Sequence, residues 1–149
     1  MSRALRSILA ASAFAALSAA PSVARAQAAA APDSIAFPRQ FVKWVRSSQG
    51  DSAFAHAGPQ LRESMQSAEG VNAMATRIAT RFGELQGTDA EVQFDEGPLK
   101  VYIEVVRYAQ APGPGAWVVV YSPTTKIVER ANFGPLENVK SRFPQAKLP

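Results

Sequence analysis

The residues best suited to chemistry fall mostly between Tyr102 and Arg130. Tyr102 and Glu104 stand two apart in the run Leu99-Lys-Val-Tyr-Ile-Glu-Val-Val-Arg-Tyr108, so in a strand they project from one face. A carboxylate beside a phenol can take up a proton or hold a ligand through hydrogen bonds. Trp117 and Tyr121 lie in Ala116-Trp-Val-Val-Val-Tyr-Ser122, and each joins a large apolar ring to one polar atom. Glu129 and Arg130 follow in the next apolar segment. His56, the one histidine, sits among alanines upstream. An imidazole can serve as general acid or base, but the sequence gives His56 no partner, and such a residue is more often structural.

Other chemistries find little footing. The chain has no cysteine, which excludes a disulfide framework and thiolate metal sites. Glu91, Asp95 and Glu96 lack the spacing of a calcium loop and read as a solvated strand edge. No metal and no cofactor is expected. Neither a glycine-rich phosphate loop nor a Gly-x-Ser-x-Gly turn occurs. The role of Glu104 then depends on its face of the sheet. A curled sheet would turn Tyr102, Glu104 and Val106 toward a cavity; an open one would leave them to water or a partner. The second is expected, because antiparallel sheets commonly face water on one side.

The elements that must position these residues are legible from periodicity. Phe37, Phe41 and Val45 recur every fourth residue beside Val42, with Arg39, Lys43 and Arg46 opposite, an amphipathic helix with Pro38 in its first turn. Asp51 or Ser52 is expected to cap a short helix that ends at Gly58-Pro59, and Leu61 with Met65 marks another. Val71, Met74, Ala75, Ile78, Phe82 and Leu85 share one face of a long helix from Ala68 to about Leu85, capped by Ser67, ended by Gly87 and laid across the sheet. Four strands follow: Glu91 to Glu96, Leu99 to Tyr108, Ala116 to Ser122 and Ile127 to Phe133. The expected fold class is α+β, with N-terminal helices, one of them long, packed on a curved four-stranded antiparallel meander. Leu99, Val101, Ile103 and Val105 read as its buried face. Residues 136–149 read as a polar tail with at most one helical turn.

Arg3 and Arg6 precede an apolar, alanine-rich run from Ile8 to Ala20, and Ala24-Arg25-Ala26 supplies small residues at a cleavage site. Residues 1–26 read as a signal peptide cleaved after Ala26, too short in its apolar run for a membrane span. The chain is therefore expected in the periplasm or the medium. Residues 27–36 would be a flexible leader and 37–135 the domain. The formal charge of +4 falls close to neutral once Arg3, Arg6 and Arg25 are removed. Without a basic cluster, nucleic acid is not an expected partner.

The spacing of Phe41 with Val45, Phe54, Leu61 with Met65, the helix Ile78 to Leu85 followed by Gly87, and Phe133-Gly134-Pro135 resembles the small exported bacterial domains of the nuclear transport factor 2-like, or cystatin-like α+β cone, superfamily. The likeness is to a domain family of unknown function found alone behind a signal peptide or ahead of an α/β-hydrolase. It implies a curved sheet around a long helix, a pocket between them and often a homodimer. Enzymes of the superfamily use an Asp/His or Asp/Tyr pair inside the cone, and no such pair is matched here. The expected function is non-enzymatic binding of a small apolar ligand or a protein partner, through the pocket or the sheet face, with Tyr102, Glu104, Trp117, Tyr121 and His56 as candidate contacts. The alternative is an isomerase- or hydrolase-like enzyme with Glu104 or His56 as base.

Overall fold

In the computed structural model, which describes residues 33–149, α1 (Ala36–Arg46) buries Phe41, Val42 and Val45 along one face. Burial of each such side chain is worth roughly 1.5–3 kcal/mol. Next come α2 (Gly50–Ala55) and α3 (Pro59–Met65), the latter burying Leu61 and Met65 as their spacing predicts. Neither Asp51 nor Ser52 caps α2. Its first N–H, on Gly50, donates instead to Asn72 Oδ1 at 2.8 Å. Gly50 also lies so close to the Ala68 carbonyl that a Cβ would stand 2.1 Å from that oxygen. The site admits no larger residue without movement of the backbone.

The long helix, α4 (Ala68–Phe82), is capped as expected, the Ser67 hydroxyl accepting from Gly70 N at 3.2 Å. It ends earlier than expected. Gly83, at φ +75°, adopts the left-handed conformation that glycine tolerates and terminates the helix. The chain from Leu85 to Ala90, expected as helix end and loop, becomes the first half of β1 (Leu85–Glu96). Two register shifts, between Leu85 and Gly87 and between Thr88 and Ala90, hide that strand from a search for alternation.

β1 is followed by β2 (Leu99–Tyr108), β3 (Gly115–Tyr121) and β4 (Val128–Pro135), antiparallel throughout and in the order β1-β2-β3-β4. The α+β class and the meander agree with the sequence expectation. The faces do not. Tyr102, Val106, Tyr108, Trp117, Val119 and Tyr121 form the face that packs with the N-terminal helices, and Tyr102, Glu104 and Val106 are all buried. The expectation that this face meets water or a partner is corrected: α1 and α3 cover it. The long helix α4, expected to lie across the sheet, packs instead mainly against α1, α2 and α3, and only its last residue, Phe82, is seen to reach Tyr108 and Phe133.

The aliphatic face, Val101, Ile103 and Val105 with Ala116, Val118 and Val120, is buried by the C-terminus. Residues 136–149 are not a polar tail. They form α5 (Leu136–Arg142) and a 3-10 turn (Pro144–Ala146) that bury Leu136, Val139, Phe143 and Ala146 against that face. Leu136, Val139 and Phe143 stand at i, i+3 and i+7, a helical signal that intervening charges and the flanking Pro135 and Pro144 obscure. The ordered unit therefore extends past residue 135. The expected signal peptide, and the leader as far as residue 32, lie outside the described residues. Among the described residues no helix is long and apolar enough to cross a membrane.

Candidate functional site

Two arginines of α1 organise the polar residues on the helix-covered face. Arg39 and Arg46 are seven residues apart, two helical turns, so they leave α1 on the same side. Arg39 donates to both oxygens of Glu91 on β1, at 2.8 and 2.9 Å, and also reaches Asp33 at 2.7 Å. Arg46 donates to Glu104 Oε1 at 3.0 Å, and Thr88 Oγ1 donates to the same oxygen at 2.8 Å. The sequence places Arg39 and Arg46 opposite the apolar stripe. Their side chains instead reach back to carboxylates on β1 and β2, which only the tertiary fold brings near.

Tyr102 donates to Glu91 Oε1 at 2.5 Å, and its pKa is raised, first by burial and then by that carboxylate. The Glu91 carboxyl is held below its usual value chiefly by the Arg39 guanidinium, with the Tyr102 hydroxyl adding to the effect against some burial. Tyr121 sits within 2.7 Å of Gln93 Oε1 and 3.3 Å of the Ser34 carbonyl. Both tyrosines are thus hydrogen-bonded structural residues at the α1–β1 side of the sheet.

His56 is packed elsewhere. Its ring stacks on Trp44 at 5.1 Å, meets the edge of Phe37 at 5.4 Å and places Nδ1 3.0 Å from the Lys126 carbonyl. A carbonyl only accepts, so Nδ1 carries the proton. The backbone around it is fixed too: Val128 N donates to the His56 carbonyl and Gly58 N to the Val128 carbonyl. Arg130 pairs with Glu96 at 2.8 Å and Lys100 with Asp95 at 2.6 Å. No group of three metal-ligating side chains occurs among the described residues.

Glu104, Tyr108 and Trp117 differ from these. Glu104 is 2% exposed and opposes Trp117 across β2 and β3. Tyr108 lies four residues along the same face of β2. Each has a buried polar atom without a hydrogen-bond partner: Glu104 Oε2, the Tyr108 hydroxyl and Trp117 Nε1. Unpaired buried groups of this kind cost on the order of 1–3 kcal/mol each. Burial raises the Tyr108 phenol, partly countered by the Trp117 N–H. Phe133 packs against both rings, at 5.6 Å from Tyr108 and 5.1 Å from Trp117.

Above Tyr108 and Trp117 the helices stand off the sheet. The ends of α1 and α4 border a half-open cavity of about 370 Å³, walled by Ala75, Ile78 and Ala79, flanked by the Gly83–Leu85 turn and edged by Lys43 and Arg46. A second hollow, about 320 Å³, lies beside the β2–β3 turn among Arg107, Ala109 and Pro114. Of the five candidate residues, the structure brings Trp117 to the first cavity and places Glu104 behind it through Arg46; Tyr102, Tyr121 and His56 lie outside its lining. Sequence reasoning missed Tyr108, the last residue of the strand already read as Leu99 to Tyr108, on the same face as Tyr102 and Glu104. It also missed Arg46.

Fold and site together define an α+β chain whose sheet is covered on both faces, with a helix-walled cavity over Tyr108 and Trp117. Comparison with protein-family models, with curated proteins and with solved structures found no match.

Proposed function

We propose that this chain is an exported, non-enzymatic binding domain of the nuclear transport factor 2-like type, holding a small, largely apolar ligand in the cavity over Tyr108 and Trp117. The observation that carries the reading is the 370 Å³ space between sheet and helices, with the alanines and Ile78 of α4 on one side and the indole of Trp117 on the other. Concave, mostly apolar sites of about 300–1,000 Å³ are the usual form of a small-molecule pocket. The export reading rests on the charged, apolar and small-residue pattern of residues 1–26. Docking through a sheet face, as a homodimer or with a protein partner, has less support, because helices of the same chain lie on both faces. A pocket enzyme with Glu104 or His56 as base has less support as well, since neither side chain lines the cavity.

A neutral apolar fluorophore such as N-phenyl-1-naphthylamine tests the reading. Its emission should rise and saturate with the protein. Ala79→Trp, a change at an exposed position of α4 that fills the cavity, should abolish the rise while leaving the circular dichroism spectrum intact. Unaltered dye binding by that variant, or no binding by the parent protein, would sink the proposal.

A further inference from the structure

The polar inventory of the cavity is unbalanced in favour of donors. The indole N–H of Trp117 can only donate, and it has no acceptor. The Tyr108 hydroxyl has no partner either, so its proton also lacks an acceptor. Both residues are more than nine-tenths buried, at 1% and 8% exposure. A ligand oxygen would satisfy both donors; an ammonium group would satisfy neither.

Charge distinguishes among oxygen ligands. Arg46 gives one guanidinium nitrogen to Glu104 and keeps further N–H groups at the cavity wall. Glu104, which opposes Trp117 from outside the cavity lining, is the carboxylate that Arg46 holds. Lys43 stands at the edge and makes no ion pair among the described residues. Glu84, the one carboxylate in the lining, is exposed, where water and salt screen its repulsion. Hydrogen bonds to an ionised acceptor are roughly twice as strong as those between neutral groups.

We infer that the ligand of this cavity is an apolar carboxylate, its oxygens against the Trp117 and Tyr108 donors on the Arg46 side and its hydrocarbon body against α4. The inference rests on the binding function proposed above. Hexanoate, hexanamide and hexylamine share one hydrocarbon length and separate the alternatives. Binding is followed by the NMR signal of the Trp117 indole N–H, with the Trp44 signal as internal control. Hexanoate should shift and saturate the Trp117 signal and bind at least about tenfold more tightly than the amide or the amine. Tyr108→Phe should weaken hexanoate about tenfold and leave the neutral fluorophore unaffected. Lys43→Gln, at an exposed site where folding is not at stake, should weaken hexanoate and leave hexanamide unchanged. Equal binding of amide or amine overturns the carboxylate inference. Dye binding with no response to hexanoate overturns it while leaving the binding function standing; failure of both overturns the two together.

Discussion

Arg46 and Glu104 meet across 58 positions of sequence, and Glu104 is almost wholly enclosed. A buried carboxylate that loses its cation keeps its desolvation penalty and loses its compensation, so removing one partner does more harm than removing both. Arg46→Ala should lower the free energy of urea unfolding by about 3 kcal/mol, and Arg46→Met combined with Glu104→Leu should recover most of it. A loss under about 1 kcal/mol in the single variant would mean that the pair behaves as a solvated surface bridge. The sequence marked Glu104 correctly as a polar residue in an apolar strand. It could not mark Arg46, because an arginine opposite the apolar stripe of a helix reads as solvent-facing whether or not a carboxylate waits above it.

α5 does for one face of the sheet what α1 and α3 do for the other. Phe143 follows its last turn, 7% exposed and 5.9 Å from the ring of Phe94 on β1. Phe143→Ala should destabilise the protein by about 3 kcal/mol in thermal unfolding, whereas Asn138→Ala, on the exposed side of the same helix, should stay within about 0.5 kcal/mol. Equal effects would show that the C-terminus does not hold the aliphatic face. Local signals were legible at this scale: the Ser67 cap, the spacing of Leu61 with Met65, and the period-two runs of β2 and β3. The end of α4 at Gly83 is not legible, because a glycine inside a helical pattern and a glycine that ends it look alike until the backbone takes a positive φ.

Taken whole, the molecule encloses all three of its tyrosines, Tyr102, Tyr108 and Tyr121. Burial is the first cause in each case, and every phenol is raised above the ordinary 10.0. Folding therefore favours the protonated phenols, a contribution fully present below pH 10 and lost as pH rises beyond it. Phenolate absorbance should accordingly appear only together with loss of the far-ultraviolet circular dichroism signal, above pH 10. Reversible ionisation near pH 10 in the folded protein would contradict the packing of the helix-covered face. The sequence by itself determined the α+β class, the order of the first four helices and the four strands, and the antiparallel meander, since these follow from periodicity and turn residues within a few positions of one another. Only the tertiary structure decided which face each cover takes. β3 is apolar on both sides and β2 sets Tyr102, Val106 and Tyr108 beside Lys100 and Glu104 on its second face, so alternation cannot say what covers each face, and the choice falls to distant segments: α1, whose arginines find Glu91 and Glu104, and α5, whose apolar stripe fits the aliphatic rows. The cavity over Tyr108 and Trp117 is the residue of that choice, a space left where the ends of two helices do not reach the sheet.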